Sequence, residues 1–271
     1  MPEGASTFAR ETWRGGVIGT DSDDLVVEVP VAMVYNGISH AVMMATPTDL
    51  EDYALGFSLS EGIVENAAQF RGVDVVPLRG GLEVQIEIGT EPFARLKRRR
   101  RNLAGNSGCG LCGQESLDQL ALAARPVPDT VRCEHNTLQK AVAALDNVQT
   151  LKSRTGGVHG AAWCNLQGEI ALIREDVGRH NALDKLLGAL ARGDHVSPGF
   201  ALVTSRASYE MVAKASACGV ELLAAVSAPT DFAVRRAEEA GMTLVCFVQA
   251  GRHAVYSGHH RLEGAYERAA D

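Results

Sequence analysis

The chain has 271 residues, of which 46% are hydrophobic and 22% are charged, and its formal net charge is −7. This length fits one large domain, or one domain with a smaller appendage, because single hydrophobic cores stop growing at roughly 250–300 residues. The composition excludes a disordered protein. The sequence also lacks the ~20 consecutive apolar residues of a membrane helix and the apolar stretch of a secretory signal. We therefore expect a cytoplasmic protein that contacts no membrane, and its acidic balance argues against general nucleic-acid binding.

The N-terminal third is predicted to be rich in β-strands. Residues 26–35 and 38–45 flank Asn36-Gly37, a dipeptide that supplies the positive φ angles of a tight hairpin turn. A second hairpin is predicted around residues 82–88, where apolar and polar side chains alternate as they do in a strand with one solvent-exposed face. These patterns predict a small β-rich subdomain over residues 1–100.

One helix and then a loop are predicted at the end of this subdomain. Thr46 is expected to cap the helix, with Pro47 in its first turn, and Gly62 is expected to end it. The ordered patterns fade between residues 91 and 113, where the basic run 97–101 leads into a glycine-rich stretch. Because glycines make a backbone permissive, we predict that this whole segment is a loop.

The second half of the chain alternates between strand and helix patterns. Helical periods at 117–124 and 136–145 precede this alternation. The predicted strands are 158–164, 170–174, 201–204, 222–226 and 243–248, and the predicted helices are 179–190, 209–218 and 231–240. Such alternation implies βαβ crossovers and a mostly parallel central sheet that helices cover on both faces. The predicted fold class is therefore α/β, or α+β overall, with the smaller β-rich subdomain in front.

A ligand-binding rim is predicted from this topology. Ligands of open α/β sheets bind at the carboxyl ends of the strands. The segments that follow those ends are Arg174–Asn181, Thr204–Glu210, Ser227–Asp231 and Phe247–Arg252. We expect these four segments to lie along one edge of the sheet.

The strongest chemical signal is Gly-Cys-Gly-Leu-Cys-Gly at residues 108–113. Its two thiols can share a metal, cycle through a disulfide or relay a sulfur atom. A metal centre usually needs four ligands, whereas no second pair of cysteines has this spacing, and a thioredoxin-type pair follows a strand at a helix start. Flexible glycine flanks and a nearby basic run suit a thiolate that visits two partners. The other cysteines are expected to be buried small hydrophobes: Cys133, Cys164, Cys218 and Cys246.

Several further motifs follow one another in order along the chain. The most specific are the double-cysteine segment and Glu-Asp-Val-Gly-Arg-His-Asn-Ala at 175–182. The others are Thr-Pro-Thr-Asp-Leu-Glu at 46–51, Thr-Gly-Gly-Val-His at 155–159, Arg-x-Ser-x-Glu at 206–210 and Ser-Ala-Pro-Thr at 227–230. Together they resemble the FdhD family of formate dehydrogenase accessory sulfurtransferases over nearly the whole chain.

The resemblance implies a sulfur carrier. A cysteine desulfurase would place a persulfide on Cys109, with Cys112 assisting, and the sulfur would pass to the bis-molybdopterin guanine dinucleotide form of the molybdenum cofactor before its insertion into apo formate dehydrogenase. It also implies a homodimer, a mobile cysteine loop at 101–113 and a cytidine-deaminase-like domain at 114–271, with no permanently bound metal. The alternative is a metal-binding or redox chaperone of a molybdoenzyme that uses the same cysteine pair without sulfur transfer.

The cofactor site is predicted from the resemblance and the rim together. Gln249 stands where the family commonly has Arg, and Ser205 where it often has Gly, so Arg252 is the favoured charged contact. The predicted cofactor-binding residues are Phe247, Val248, Gln249, Ala250, Gly251, Arg252, Arg179, His180, Asn181, Ser227 and Thr230.

Overall fold

A computed structural model describes residues 4–105, 125–193 and 197–264 of the protein. The N-terminal half contains a separate two-stranded ribbon and a four-stranded sheet in the order β4-β3-β6-β5. Its strands are β1 (Ala5–Arg14), β2 (Val17–Val26), β3 (Val29–Tyr35), β4 (Ile38–Ala45), β5 (Phe70–Leu78) and β6 (Gly81–Ile88), and its helices are α1 (Leu50–Ser60) and α2 (Thr90–Gly105). Both predicted hairpins, β3–β4 and β5–β6, are confirmed, and the ribbon is an addition that the sequence patterns did not predict.

Two predictions for this half are wrong. The segment from Thr90 to Gly105 is helix α2 rather than loop, because Phe93 and Leu96 pack against the core of the four-stranded sheet. The basic run 97–101 therefore lies on a helix. Thr46 does not cap α1, which instead begins after Asp49, a residue with a positive φ of 51°.

The C-terminal half is built on a six-stranded sheet in the order β13-β12-β11-β10-β8-β9. Its strands are β8 (His159–Asn165), β9 (Ile170–Asp176), β10 (Gly199–Val203), β11 (Leu222–Ala225), β12 (Thr243–Gln249) and β13 (Arg252–Ser257), and a small parallel pair joins β7 (Cys133–Glu134) to β14 (Leu262–Glu263). The helices are α3 (His135–Val148), α4 (Thr150–Thr155), α5 (Arg179–Arg192), α6 (Tyr209–Ala217) and α7 (Asp231–Glu239). The predicted strands and helices of this half are thus confirmed wherever the structure describes them, while the helical pattern at 117–124 lies outside the described residues.

The prediction of a mostly parallel sheet is wrong. Only the pairs β10–β11 and β11–β12 are parallel, whereas β8–β9, β8–β10 and β12–β13 are antiparallel. The physical reason is that short turns join β8 to β9 and β12 to β13, and a short turn can only produce an antiparallel pair. The resemblance to cytidine deaminases stays a prediction.

Helices cover both faces of the six-stranded sheet. One face packs against α5, α6 and α7 through residues such as Leu183, Met211 and Ala237. The opposite face packs against α3 through Leu138 and Leu145. Within the described ranges, no helix is long and apolar enough to cross a membrane.

The two halves meet where α1 crosses α5. A Cβ atom on Gly56 would overlap the main-chain oxygen of Asp184, and one on Gly188 would overlap that of Asp52. The two helix backbones therefore touch, which is why glycine is needed on each side. We call this contact, with the buried polar residues beside it, the interhalf joint; those residues are Thr46, Tyr53, Asp176, Asn181 and Lys185.

Candidate functional site

The predicted rim exists along one edge of the six-stranded sheet. Because β10, β11 and β12 run parallel, their carboxyl ends lie at the same edge. His159 at the start of β8 pairs with Asp176 at the end of β9, which brings the segment after β9 to this edge as well. Neighbouring segments are tied by main-chain hydrogen bonds, for example from Phe247 N to Ser227 O at 3.1 Å. The convergence of the four segments is confirmed.

The two predicted arginine contacts lie far apart on this rim. Arg179 follows β9 at one end of the sheet, and Arg252 lies at the turn between β12 and β13 at the other end. Four strand spacings of about 4.8 Å separate β9 from β12, or roughly 19 Å in all. The structure thus places the two arginines at opposite ends of the rim, and their assignment as cofactor contacts stays a prediction. Each end of the rim forms a separate candidate site.

The first site is the β12–β13 turn, where it meets helix α3. A pocket of about 600 Å³ lies there, lined by Gly251, Arg252, His253 and residues at the start of α3. Gln139 of α3 accepts a hydrogen bond from Gly251 N at 2.8 Å. The rings of His135 and His253 stack with centroids 5.0 Å apart, and burial, followed by the neighbouring His135, lowers the pKa of His253 below its usual value. The turn is thus anchored to α3 while Arg252 stays exposed.

The residues of this turn differ in what they offer a ligand. Phe247 has a positive φ of 53° and a partly exposed ring, whereas the Val248 side chain is fully buried in the core. Only the main chain of Val248 is left to contact a ligand, and the predicted contact at this residue stays a prediction. Gln249 Oε1 accepts a hydrogen bond from Arg252 Nη2 at 2.6 Å, and Ala250 is exposed beside it. Gln249 thus orients the guanidinium of Arg252.

Ser227 and Thr230 lie between the two sites. The Ser227 carbonyl accepts the hydrogen bond from Phe247 N. The Thr230 hydroxyl caps α7 by accepting a hydrogen bond from Ala233 N at 3.2 Å. Both residues are half-buried, and both shape the middle of the rim.

The second site is a pocket of about 350 Å³ between the end of α1 and the starts of α5 and α6. His180, Tyr209 and Glu210 line its upper wall, and His180 Nε2 lies 2.7 Å from Glu210 Oε2. Burial, followed by the charge of Arg179, lowers the pKa of His180 below its usual value. The environment of His180 therefore favours the neutral imidazole inside this pocket.

Lys214 forms the floor of this pocket, which we call the α5–α6 pocket. Its ammonium group lies 2.9 Å from Asp184 Oδ2 and 2.7 Å from Glu61 Oε1, and it donates to Ser60 Oγ at 3.1 Å. Burial raises the pKa of Asp184 to about 6. Burial alone would lower the pKa of Lys214, but the two carboxylates hold it above its usual value. Lys214 of α6 thus bridges the end of α1 and helix α5.

Arg179 and Ser208 stand at the adjacent starts of α5 and α6. Within the described part of the chain, Arg179 Nε and Ser208 Oγ are buried without a hydrogen-bond partner. Unsatisfied buried polar atoms are rare in native proteins and point to a missing ligand or water. Helix N-termini also present free N–H groups to anions. This end of the rim is therefore suited to bind an anion.

Asn181 and its neighbours serve the interhalf joint rather than a pocket. Asn181 donates to Met44 O and Asp176 Oδ1 and accepts from the Tyr53 hydroxyl at 2.8 Å. Since its side chain is buried and fully engaged, we withdraw Asn181 from the predicted cofactor site. Asp176 forms an ion pair with Lys185 at 2.7 Å.

Lys185 is a joint residue that was not among the predicted site residues. Its side chain is fully buried, and its ammonium group also donates to Thr46 O at 3.0 Å. A charged residue between Leu183 and Leu186, on the apolar side of an amphipathic helix, was the available signal. Thr46 completes the joint, because its N–H donates to Asp176 Oδ2 and its hydroxyl accepts from Val177 N.

Three of the four isolated cysteines, Cys133, Cys164 and Cys246, are buried as predicted, whereas Cys218 is half-buried. Burial raises the pKa of Cys133 to about 11 and that of Cys164 and Cys246 to about 12. The half-buried Cys218 has its pKa raised to about 12 for the same reason. Cys109 and Cys112 lie outside the described residues.

The fold and the rim define a two-part α/β protein with separate contact sites at the two ends of one sheet edge. The chain matches the FdhD/NarQ family over residues 26–263, and it belongs to that family. It is 54% identical to the sulfur carrier protein FdhD of Cupriavidus necator over 263 residues, which are 97% of this chain and 91% of that protein. It is 51% identical to the sulfur carrier protein FdhD of Bordetella petrii over 253 residues, 92% of this chain and 91% of that one.

A solved structure has a similar fold. It is described as a putative formate dehydrogenase accessory protein from Desulfotalea psychrophila, and it superimposes with a TM-score of 0.77. The superposition covers 96% of this chain and 99% of the other. At 22% sequence identity, this likeness supports the fold alone.

Proposed function

We propose that the protein is a sulfur carrier that takes sulfur from a cysteine desulfurase. It holds the sulfur as a persulfide on Cys109 and delivers it to the bis-molybdopterin guanine dinucleotide cofactor before that cofactor enters apo formate dehydrogenase. One combined observation supports the proposal. Close relatives are named as sulfur carrier proteins, and this chain contains the cysteine pair Cys109 and Cys112.

The other thiols support this assignment because they are unsuited to the chemistry. The reactive form of cysteine is the thiolate. With pKa values of about 11 to 12, Cys133, Cys164, Cys218 and Cys246 are protonated at neutral pH. Sulfur transfer at neutral pH therefore falls to Cys109 and Cys112.

The transfer chemistry is a pair of thiol exchange steps. The Cys109 thiolate attacks the outer sulfur of the desulfurase persulfide, a new S–S bond forms, and the desulfurase cysteine leaves as a thiolate. In the release step, the Cys112 thiolate attacks the inner sulfur of the Cys109 persulfide. A disulfide between Cys109 and Cys112 forms, and hydrosulfide leaves for the molybdenum centre. Each step conserves sulfur and electrons, and the disulfide is then reduced by a cellular dithiol.

In this proposal the phosphate groups of the cofactor bind at two places on the rim, one at each end. A bis-dinucleotide cofactor carries two pyrophosphate groups, so two sites about 19 Å apart suit it better than one combined site. At one end are Arg179 and the starts of α5 and α6, with the unsatisfied Ser208 hydroxyl. At the other end Arg252 presents a guanidinium group that Gln249 holds in place. Phe247 offers a ring that a flat base can stack on.

Labelled sulfur transfer tests the carrier step. We expect protein incubated with a desulfurase and ³⁵S-cysteine to gain label on Cys109, and Cys109→Ala to lose at least about 90% of it. Cys218→Ala is the matched control and should keep the label, because the Cys218 thiol is half-buried and protonated. Full labelling of the Cys109→Ala variant would refute the assignment.

A metal assay separates the carrier from the alternative chaperone. If the cysteine pair held stoichiometric zinc or iron in anaerobically purified protein, its thiolates would be occupied and could not carry sulfur. The described residues offer no cluster of three or more metal-binding side chains. Rapid reduction of insulin disulfides would instead identify a general redox protein, and we expect none.

A further inference from the structure

Helix α2 is a strongly basic element of an acidic protein. Its residues, Thr90–Gly105, include six that are lysine or arginine and one glutamate, so its formal charge is +5. The whole chain has a formal charge of −7, which leaves −12 for the rest of the molecule. Most of the basic charge lies in the run 97–101. A concentration of one sign of charge creates a local potential that acts on partners beyond contact distance.

Packing against the body of the protein does not require this basic run. The helix is attached to the core of the four-stranded sheet through Phe93 and Leu96, both of which precede the run. Five successive residues extend over more than one full turn of an α-helix. The run 97–101 therefore goes round the helix axis and leaves no apolar side that could face the core. The core thus anchors the part of α2 that precedes the run.

The basic residues at the start of the run have no charged partner nearby. Lys97 and Arg98 are exposed, and neither forms an ion pair with a residue that the structure describes. The Lys97 ammonium group instead lies 4.6 Å from the centre of the Phe93 ring. Arg95, just before the run, differs because it pairs with Glu91 at 3.0 Å. The exposed charges of Lys97 and Arg98 are thus available to a partner.

The basic run also costs the isolated helix stability. Like charges one turn apart on a helix repel each other, which costs about 0.2–0.5 kcal/mol per pair. The helix dipole favours cations only in the last turn, and the last turn of α2 contains no basic residue. A local feature that the fold itself does not favour is typical of a functional site. We therefore expect the run to contact another molecule.

The run is close in sequence to the cysteine pair. Cys109 is four residues beyond Gly105, the last residue of α2. Four residues of extended chain span at most about 14 Å. A molecule that hands sulfur to Cys109 must therefore approach the C-terminal end of α2, where it meets the basic run.

We propose that helix α2 is the docking site for the sulfur donor and that it binds an acidic surface beside the donor's persulfide cysteine. This inference rests on the proposed function, in which a cysteine desulfurase loads Cys109. Complementary charge speeds the encounter of two proteins and orients them more than it tightens the final complex. The basic run thus raises the rate of loading and directs the persulfide towards the cysteine pair.

An acidic protein surface is favoured over the other anions that a basic helix attracts. Small anionic ligands bind in concave sites, whereas Lys97 and Arg98 are exposed on a helix and line neither of the two rim pockets. A nucleic acid presents a long row of phosphates, which the −12 charge of the rest of the molecule repels. An acidic patch of limited size matches the limited length of the basic run.

The rate of sulfur loading at different salt concentrations tests this docking site. At low ionic strength, transfer of ³⁵S from a desulfurase to Cys109 should be at least about tenfold slower for Lys97→Glu/Arg98→Glu than for the wild type. The two rates should converge in about 1 M salt, where the screening length falls to about 3 Å. Lys97→Gln/Arg98→Gln removes the charges without reversing them and should lie between the two.

A matched control makes the same change of charge elsewhere on the surface. Arg79 lies in the β5–β6 turn and Lys140 on α3, and both are exposed. Arg79→Glu/Lys140→Glu should be loaded at the wild-type rate at every salt concentration. Equal slowing of this control would show that only the net charge of the protein matters, and it would overturn the proposed docking site.

A small persulfide donor separates the docking site from the carrier function. Cysteine persulfide needs no docking surface, so it should load Cys109 of the wild type and of Lys97→Glu/Arg98→Glu equally well. If neither donor loads the wild type, the proposed function itself fails. If the desulfurase loads both proteins at the same rate, the docking site is wrong and the carrier function stands. Slow loading of the variant by both donors would also overturn the docking site, because the damage would then lie at the cysteine pair.

Binding of duplex DNA tests the competing occupant of the helix. We expect no DNA binding by the wild type in fluorescence anisotropy at physiological salt. DNA binding that Lys97→Glu/Arg98→Glu abolishes, together with unchanged loading by the desulfurase, would overturn the proposal in favour of a nucleic acid.

Discussion

The interhalf joint and the β12–β13 turn both contain residues that the sequence analysis predicted as cofactor contacts. The polar side chains of the two regions differ, however, in how deeply they are buried. At the joint, Asp176 and Lys185 are completely buried and bind each other. At the turn, Gln249 and Arg252 are exposed and bind each other at the surface. A buried charge that loses its partner is costly, whereas an exposed pair contributes little to stability.

This difference teaches which residues of a motif are available to a ligand. Exposed polar groups can exchange one hydrogen-bond partner for another at little cost, so the polar side chains of the turn are available to a ligand. The joint residues cannot do so without destabilising the contact between the halves. The motif at 175–182 contains both kinds: Asp176 and Asn181 hold the joint, while Arg179 and His180 face the rim.

The largest loss of stability is expected from a substitution at the contact between helices α1 and α5. Gly188→Ala should destabilise the protein on the order of 5 kcal/mol, above the usual cost of overfilling a core, because the new Cβ meets main chain rather than a movable side chain. The free energy of unfolding in urea measures this effect. Gly72→Ala in β5 is the control and should cost less than about 1 kcal/mol, since a Cβ there meets only the Glu87 carboxylate, at 4.0 Å. Equal stability of the two variants would show that the helices do not touch.

The next largest effect is expected at the buried ion pair. Lys185→Met keeps the side-chain length but leaves the Asp176 carboxylate buried and unpaired, which should cost about 3–5 kcal/mol. Lys152→Met removes an exposed pair with Asp146 and should cost about 1 kcal/mol or less. Urea unfolding of both variants compares the two environments directly. If Lys185→Met lowered the free energy of unfolding no more than Lys152→Met does, the joint would tolerate a buried Asp176 carboxylate without its lysine partner.

At the β12–β13 turn we expect a substitution to weaken ligand binding and to leave the free energy of unfolding unchanged. Arg252→Ala should weaken binding of GDP, used as a fragment of the cofactor, about tenfold, which corresponds to one lost charged hydrogen bond. Titration calorimetry measures the affinity. Arg235→Ala on α7 is the control because its exposed guanidinium lies away from the turn. Loss of both Cys109 and Cys112 should leave GDP affinity unchanged, and the reverse pattern would contradict the proposed separation of nucleotide and sulfur sites.

The smallest effect concerns pH at the same turn. The pKa of His253 in the folded protein lies below its ordinary value of 6.5 because of burial and then the nearby His135. The unfolded chain therefore binds the proton first, so this contact contributes its full stability above pH 6.5 and loses it as the pH falls. His253→Gln should flatten the fall in stability between about pH 6.5 and 5. Thermal unfolding across that range is the measurement, and an unchanged slope would exclude His253 as its source.

Much of the fold was predictable from local sequence patterns, and the errors have physical causes. Asn36-Gly37 defined a hairpin, because glycine and asparagine adopt the positive φ angles of its turn more readily than most residues do. Helix α2 was missed because the basic run 97–101 dominates its sequence. The burial of Leu96, which holds the helix against the core, comes from a sheet that is distant in sequence. The ribbon was missed because its apolar residues face solvent in the single chain.

The sequence by itself determined the family, the cysteine pair, the order of strands and helices in the C-terminal half and the position of the rim, because each depends on residues that are neighbours in the chain. Only the tertiary structure decided which motif residues face the rim and which hold the joint. Lys185 and Asp176 are nine positions apart, but Thr46, which binds both, is more than a hundred positions away. Contacts between residues so distant in sequence arise from packing. No local sequence pattern could therefore have shown that Asn181 is buried in the joint while His180, the residue beside it, lines a pocket.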